Sequence, residues 1–313
     1  MTIFHNLNPK IKPKGFLDSI KWRLTSKRKK WPKCVPNEYD DLPPMQVGGD
    51  EMRVSFVGHH SFLIQTNGIN ILTDPVWSLR ASPFKFLGPS RVTEPGIKLE
   101  NLPKIDLILI SHNHYDHLDI ETLKALYQLG TPKIIIPLGN EKTILSSIPN
   151  ADITTLAWYE NHQVISGIIV HLEPAQHWSA RGLFDRNKSL WGSFIIDING
   201  KQICFVGDSG YDQKMFQATA TKFPNIKCSI IPIGAYEPRW FMSPIHMNPE
   251  EAVRAHKDLH SRYSIAGHFG TFQLTDEGYD DPIIALSKAK KELGVKDGFT
   301  TMKIGSHIML SLK

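Results

Sequence analysis

The run Ser111-His112-Asn113-His114-Tyr115-Asp116-His117-Leu118 places four side chains able to bind a metal within six residues. By composition alone such a cluster would arise on the order of once in a thousand chains of this length, so chance explains it poorly. Imidazole and carboxylate together suit zinc, iron or manganese. One loop cannot close two metal sites, because zinc typically takes about four ligands. Further candidates are histidines and acids at other strand ends. His177 follows the apolar stretch Val170–Leu172 and the turn at Pro174. Asp208 follows Gln202–Val206 and precedes Ser209-Gly210. His268 follows Tyr263–Ala266 and precedes Phe269-Gly270. A lone strand-end histidine or aspartate is more often structural; three that match one edge of a fold strengthen the functional reading together.

A metal loop needs rigid elements on both sides. The motif sits between the continuous apolar run Ile105–Ile110, of strand length, and a helix predicted over Asp119–Leu129, with Asp119 as N-cap and Gly130 as stop. Upstream, Arg53–Val57, Ser61–Gln65 and Ile69–Thr73 read as strands, the last two joined by a tight turn at Asn67-Gly68. Lys133–Ile136 is a short buried strand, followed by a helix near Glu141–Ser147. The middle repeats the pattern. Val164–Leu172 and Leu190–Ile198 are strands, Asn199-Gly200 turns into Gln202–Val206, a helix lies near Asp212–Thr221 and Ser229–Ile233 is an apolar strand. Asn248 caps a helix over Pro249–Leu259, then come a strand at Arg262–Ala266, a helix at Pro282–Glu292 and an extended Thr301–Leu312. Hairpins first, then helices alternating with buried strands, then extended chain again describe an α+β fold. Two mixed sheets packed face to face with helices outside satisfy it.

The chain has 313 residues, 41% hydrophobic and 21% charged, which suits a globular protein with a substantial core. Cys34, Cys204 and Cys228 are odd in number and far apart. They indicate neither a disulfide framework nor a thiolate zinc site, and a reducing, cytoplasmic setting is expected. No apolar run reaches the roughly 18 residues of a spanning helix. The N-terminus is broken by Pro9 and Pro13 and lacks the apolar region of an export signal. The net charge of +5 hides an asymmetry: residues 1–34 hold ten Lys/Arg against Asp18 alone, leaving the body at −4. Residues 1–50 are therefore read as a basic arm and residues 51–313 as the catalytic domain. The −4 body offers no broad basic surface for a polyanion, so no nucleic-acid partner is expected. In the arm, Phe16, Leu17, Ile20 and Leu24 are spaced for one helical face, with Trp22 and Trp31 beside basic residues. Such a helix either lies on an anionic membrane surface or packs its four apolar residues on the body.

The motif His112-Asn113-His114-Tyr115-Asp116-His117, with His177, Asp208 and His268 in chain order, resembles the H-x-H-x-D-H ligand set of the metallo-β-lactamase superfamily. The resemblance is closer to the N-acyl-phosphatidylethanolamine phospholipase D family and its bacterial relatives. It is carried by Gly58-His59-His60-Ser61-Phe62-Leu63, Leu72-Thr73-Asp74-Pro75-Val76-Trp77, Gln176-His177-Trp178, Leu190-Trp191-Gly192-Ser193, Gly234-Ala235-Tyr236-Glu237-Pro238-Arg239-Trp240-Phe241 and Gly267-His268-Phe269-Gly270-Thr271. It implies a metallo-β-lactamase-like αβ/βα sandwich holding two zinc ions, with iron or manganese as alternatives. One metal would be held by His112, His114 and His177, the other by Asp116, His117 and His268, with Asp208 shared. Asp74 would orient a ligand from behind. His246 would face the substrate phosphate, and Tyr115 would touch the phosphate or the leaving group. His60 is not promoted to a ligand.

Two metals about 3.5–4 Å apart would lower the pKa of a shared water, and the hydroxide would attack phosphorus or a carbonyl carbon. Asp208 would orient it and handle its proton. Ser61 and Ser111 lie in no G-x-S-x-G context and a glycine-rich phosphate loop is absent, so neither a serine nucleophile nor a nucleotide-driven reaction is expected. The expected reaction is phospholipase D-type hydrolysis of N-acyl-phosphatidylethanolamine, or a related phospholipid, to phosphatidic acid and N-acylethanolamine. Hydrolysis of a soluble lactone or other ester or phosphodiester on the same metals is the alternative. A non-catalytic metal-binding or adaptor protein is a third reading, opposed by the complete ligand set. Peripheral membrane contact through residues 1–34 and a homodimer are the expected associations beyond substrate.

Overall fold

The apolar runs of this sequence have too few polar alternations to face water, and a strand buried on both faces is the structure they suit. In a computed structural model, which describes residues 2–313, they build two seven-stranded sheets. In the first, β1 (Glu51–Gly58), β2 (Ser61–Thr66) and β3 (Ile69–Thr73) run antiparallel, with Asn67 and Gly68 both at positive φ in the turn. The sheet continues in parallel through β4 (Leu107–Leu109), β5 (Lys133–Pro137) and β6 (Ile153–Leu156). The second sheet repeats the plan. Its β7 (Asn161–Ile165), β8 (Ile168–Glu173), β9 (Ser193–Ile198) and β10 (Lys201–Phe205) are antiparallel, and β11 (Ile226–Pro232), β12 (Tyr263–Gly267) and β13 (Phe299–Thr300) follow in parallel. The last strand, β14 (His307–Ser311), returns to pair with β1, Glu51 opposite Ser311.

Period-two alternation decides which side chains face which layer. Val54, Phe56, Phe62, Ile64 and Leu109 meet Val170, Phe194, Ile196, Ile203 and Phe205 in a buried core shared by both sheets. Their neighbours Leu63, Leu72, Ile108, Ile110 and Ile134 point the other way. The helices are α1 (Phe16–Thr25), α2 (Ile120–Leu129), α3 (Glu141–Leu145), α4 (Gln213–Lys222), α5 (Arg239–Met242), α6 (Pro249–Asp258) and α7 (Asp281–Glu292). Leu123 and Leu126 of α2 and Ile144 of α3 cover the outer face of the first sheet. On the other side α6 packs on α4, α7 and β11. This is the α+β sandwich of two mixed sheets with helices outside.

Several boundaries differ from the sequence reading. Val164–Leu172, expected as one strand, is the hairpin of β7 and β8, turned at Gly167 with φ 81°. The threonine-rich β6 was not expected. Ile105–Ile110 pairs as a ladder only over Leu107–Leu109, and Thr301–Leu312 only from His307. No helix among the described residues is long and apolar enough to cross a membrane.

The arm forms its helix but does not pack its four apolar residues on the body. Phe16, Leu17 and Leu24 are 77%, 79% and 81% exposed, and Ile20 is exposed as well. The docking contact is Trp22, whose ring stacks on Phe241 at 5.1 Å and whose Nε1 donates to Asp276 Oδ1 at 3.1 Å. Trp31 donates to the Glu277 carbonyl and meets Tyr279 edge-on.

The junction between the metal loop and α2 rests on Asp119. Its carboxylate accepts from the backbone N–H of Glu121 and Thr122 and from Ser78 N at 3.0 Å. Asp119→Ala is expected to lower the unfolding free energy by about 1–2 kcal/mol, the usual worth of such a cap. Asp119→Asn, which keeps an acceptor, should lose less. Urea unfolding with an unchanged m-value is the check.

Candidate metal centre

The residues singled out stand at strand ends on one edge of the sandwich. The loop 111–117 follows β4, His177 follows β8, Asp208 follows β10 and His268 follows β12. Asp74 follows β3, and His59 follows β1. Close approach between these loops depends on glycine. A Cβ at Gly207, beside Asp208, would stand 2.6 Å from the Ser111 Cβ, and one at Gly234 would stand 1.9 Å from the His268 carbonyl oxygen. His59, Asp74 and His268 hold φ of 55°, 33° and 62°, a region non-glycine residues enter only when their surroundings enforce it.

The side chains form two groups that meet at Asp208. In the first, His112 Nε2 lies 2.9 Å from His114 Nδ1, which lies 3.2 Å from His177 Nε2. Asp208 Oδ2 is 3.7 Å from both His112 Nε2 and His177 Nε2. In the second, His117 Nε2 and His268 Nε2 are 3.2 Å apart, and each is 3.4 Å from Asp116 Oδ2. Asp208 reaches this group too, Oδ2 at 3.2 Å from His117 and Oδ1 at 3.1 Å from His268. Ligand atoms about 2.0–2.1 Å from a tetrahedral zinc stand roughly 3.3–3.4 Å from each other, so the donor atoms are spaced as the edges of such polyhedra. His112, His114, His177 and Asp208 could hold a metal ion, and so could Asp116, His117 and His268 together with His59.

The electrostatics suit a cation. Burial pushes the imidazoles of His112, His114 and His177 down, His114 to about 3 and His177 to about 4. They are therefore neutral, with lone pairs available to a metal. Asp116 and Asp208 stay well below the usual carboxylate range: burial opposes ionisation, but His117 above all outweighs it. The two carboxylates in turn draw protons onto His117 and His268 against the effect of burial, His268 to about 9. A buried centre that gathers positive charge in this way favours a metal cation in the same place.

Asp74 is fully buried and stands behind this layer. It accepts from Ser111 N at 2.7 Å, from Ser111 Oγ at 2.7 Å and from His117 Nδ1 at 2.6 Å. That bond fixes the His117 tautomer and leaves Nε2 facing Asp116 and Asp208. His177 is fixed likewise by Nδ1 donation to the Ile245 carbonyl at 2.9 Å. His246 is buried, with Nδ1 3.9 Å from Asp208 Oδ2 and no protein partner. Burial keeps it neutral. Tyr115 lies elsewhere in its bonding: its hydroxyl donates to the Arg181 carbonyl at 2.9 Å, under a guanidinium 4.0 Å from its ring.

The sequence reading missed His59. Its Nε2 is 2.9 Å from Asp116 Oδ2, and it joins Asp116, His117 and His268 in a potential metal group. The signal was present, since His59 follows Gly58 at a strand end just as His268 follows Gly267. Among the described residues, His60, buried against Phe205, has no hydrogen-bond partner on either nitrogen and lies outside the three potential metal groups.

A two-sheet sandwich with buried histidine and aspartate groups at its strand-end edge suits a metal-dependent hydrolase. Residues 69–269 match the family described as Beta-lactamase superfamily domain. N-acyl-phosphatidylethanolamine-hydrolyzing phospholipase D 1 of Caenorhabditis elegans is 38% identical over 283 residues, covering 84% of this chain and 79% of that one. The mitochondrial N-acyl-phosphatidylethanolamine-hydrolyzing phospholipase D of Saccharomyces cerevisiae is 39% identical over 236 residues, 74% of this chain and 50% of that one. Among solved structures, Igni18, a metallo hydrolase from Ignicoccus hospitalis, shares the fold with TM-score 0.65 at 21% identity, over 84% of this chain and 100% of that one. The chain therefore belongs to the metallo-β-lactamase superfamily, in its N-acyl-phosphatidylethanolamine phospholipase D-like branch.

Asp74→Ala is expected to weaken metal binding by about 10–100-fold, the usual effect of removing a residue that orients a ligand. Competition with a chelator of known affinity measures it. An unchanged affinity would show that His117 does not need this partner.

Proposed function

We propose that the chain is a dinuclear zinc hydrolase that cleaves N-acyl-phosphatidylethanolamine, or a related phospholipid, to phosphatidic acid and N-acylethanolamine. The observation that carries the reading is the pair of donor groups with Asp208 within 3.1–3.7 Å of histidines in both, on a chain 38% identical to an enzyme named for this hydrolysis. His112, His114 and His177 would hold one metal, and Asp116, His117 and His268 the other, with Asp208 shared. Bound there, two divalent ions supply Lewis acidity for activating a water and offsetting charge on the phosphoryl oxygens. Asp74 and His59 keep His117 and Asp116 in place. Asp208, ionised at neutral pH, is the group placed to accept the proton of the attacking water. His246, neutral and without a protein partner, offers a ring nitrogen to a phosphoryl oxygen or the departing ethanolamine oxygen. A role for Tyr115 at the phosphate requires it to release the Arg181 carbonyl.

A lipid substrate is further supported by the surroundings of the site. Trp178 stands 4.6 Å from the His114 ring and shares an apolar cluster with Phe241, Met242, Ile245 and Trp22. That cluster connects the metal centre to α1, whose exposed Phe16, Leu17 and Leu24 lie among basic residues. A helix of this kind suits the interface of an anionic membrane, and we assign residues 1–34 that contact.

The purified chain should carry two equivalents of zinc and release N-acylethanolamine and phosphatidic acid from vesicles containing N-acyl-phosphatidylethanolamine. Asp208→Asn should reduce that turnover by at least about 100-fold. Turnover of lactones or soluble esters with none of the lipid would overturn the substrate assignment and favour the soluble-substrate alternative. Replacing Phe16, Leu17 and Leu24 together by serine should weaken vesicle binding by at least about tenfold, since each side chain forfeits part of roughly 1.5–3 kcal/mol of burial. Hydrolysis of a soluble phosphodiester should be unaffected by the same change. Vesicle sedimentation reads the first effect, and unaltered binding would remove the helix from the interface.

A further inference from the structure

Residues 4–8 reach the loops that form the metal centre. Phe4 N donates to the Asn187 carbonyl at 2.8 Å, and the Phe4 side chain packs on the main core. Two residues on, the half-buried Asn6 pairs with the backbone of His177. Its Nδ2 donates to the His177 carbonyl at 2.9 Å, and its Oδ1 accepts the His177 N–H at 3.0 Å. The same Oδ1 accepts from Trp191 Nε1 at 3.2 Å. Asn8 Nδ2 then donates to Asp212 Oδ2 at 2.7 Å, just beyond the loop that carries Asp208.

A carboxamide has one carbonyl and one N–H₂ and can replace a neighbouring strand's peptide group. Asn6 does this at a residue outside any ladder: β8 ends at Glu173, and the next strand-like pairing is the single bridge between Gln176 and Gly210. Among the described residues, Asn6 alone pairs with the buried N–H and C=O of His177, and an unpaired buried backbone group is costly. The imidazole is held by the Ile245 carbonyl through Nδ1. Two points are needed to fix where Nε2 lies, and Asn6 is the second.

We propose that Asn6 is a positioning residue for the metal centre: it fixes the His177 backbone so that Nε2 stays aligned with His112, His114 and Asp208. Residues 4–8 are thus a strap across the two loops bearing His177 and Asp208, and the amino-terminal segment completes the site. The inference rests on reading His177 as a metal ligand, and its test separates the two.

The test uses the full chain with Asn6→Ala, Asn6→Asp and the neighbouring exposed-residue control Leu7→Ala. In metal-free protein, amide exchange at His177 should speed by about tenfold or more in Asn6→Ala and stay at the wild-type rate in Leu7→Ala. Asn6→Asp keeps the acceptor for the His177 N–H but sets a carboxylate oxygen against its carbonyl, so protection should be intermediate. In loaded protein, chelator titration of Asn6→Ala should show one of two metals bound about 10–100-fold more weakly, as for other residues that hold a ligand in place, with the second metal little changed. Wild-type exchange at His177 in Asn6→Ala overturns the proposal. So does equal weakening of both metals, which marks general destabilisation. A wild-type chain that takes up no metal sinks the metal reading, and the exchange experiment still decides whether Asn6 holds His177.

Discussion

One shared carboxylate organises this structure. Asp208 stands within 3.1–3.7 Å of ring nitrogens from His112, His117, His177 and His268. A buried carboxylate costs several kcal/mol unless opposite charge and hydrogen-bond donors meet it. Four histidines from three separate loops must therefore converge on one point. β10, which leads into Asp208, lies at the centre of its sheet, where antiparallel pairing gives way to parallel. The other sheet makes the same change at β3, which leads into Asp74 and lies beside β4, the strand that leads into the His112 loop. The site lies just beyond the carboxyl ends of these strands, where the loops of the two sheets meet on one edge.

Convergence of that kind strains the backbone. His59, Asp74 and His268 sit in the left-handed region at a cost of order 1–3 kcal/mol each. Each is held there by contacts that have no slack. His59 N donates to Thr271 Oγ1, His268 N donates to the His59 carbonyl, and Asp74 N donates to the Leu109 carbonyl. Two fully apolar layers, one between the sheets and one beneath α2, provide the stability against which this strain is set.

What the sequence reveals depends on how locally each feature is encoded. His112 to His117 are legible because four donors fall in one short loop. His177, Asp208 and His268 are legible because each ends an apolar strand. His59 meets the same criterion, yet an adjacent histidine that binds nothing, His60, obscured it. Asn6 carries no local sign at all. It sits in no motif and no periodic segment, and its partner is 171 residues away. The hairpin at Gly167 was read as one strand because Ser166-Gly167 is a weaker turn signal than Asn-Gly. β6 was overlooked because Ile153-Thr154-Thr155-Leu156 has too few apolar residues to stand out, and its pairing with β5 decides it.

The arm shows why burial is not readable from spacing alone. Phe16, Leu17, Ile20 and Leu24 share one face of α1, and at 100° per residue Trp22 projects from the opposite side. Only one of these faces can meet the body. Trp22 wins because its ring stacks on Phe241 while its N–H reaches Asp276, satisfying both halves of an amphipathic side chain. Ser26 and Lys29 N add further bonds to the same aspartate. Rotating the helix to bury its leucines would break all of these contacts. The exposed apolar face is therefore a consequence of how the arm is anchored, and the anchor lies on the cluster that borders His114. A surface on which this face rested would be held at a fixed distance from the metal centre, which is the geometry a substrate embedded in that surface requires.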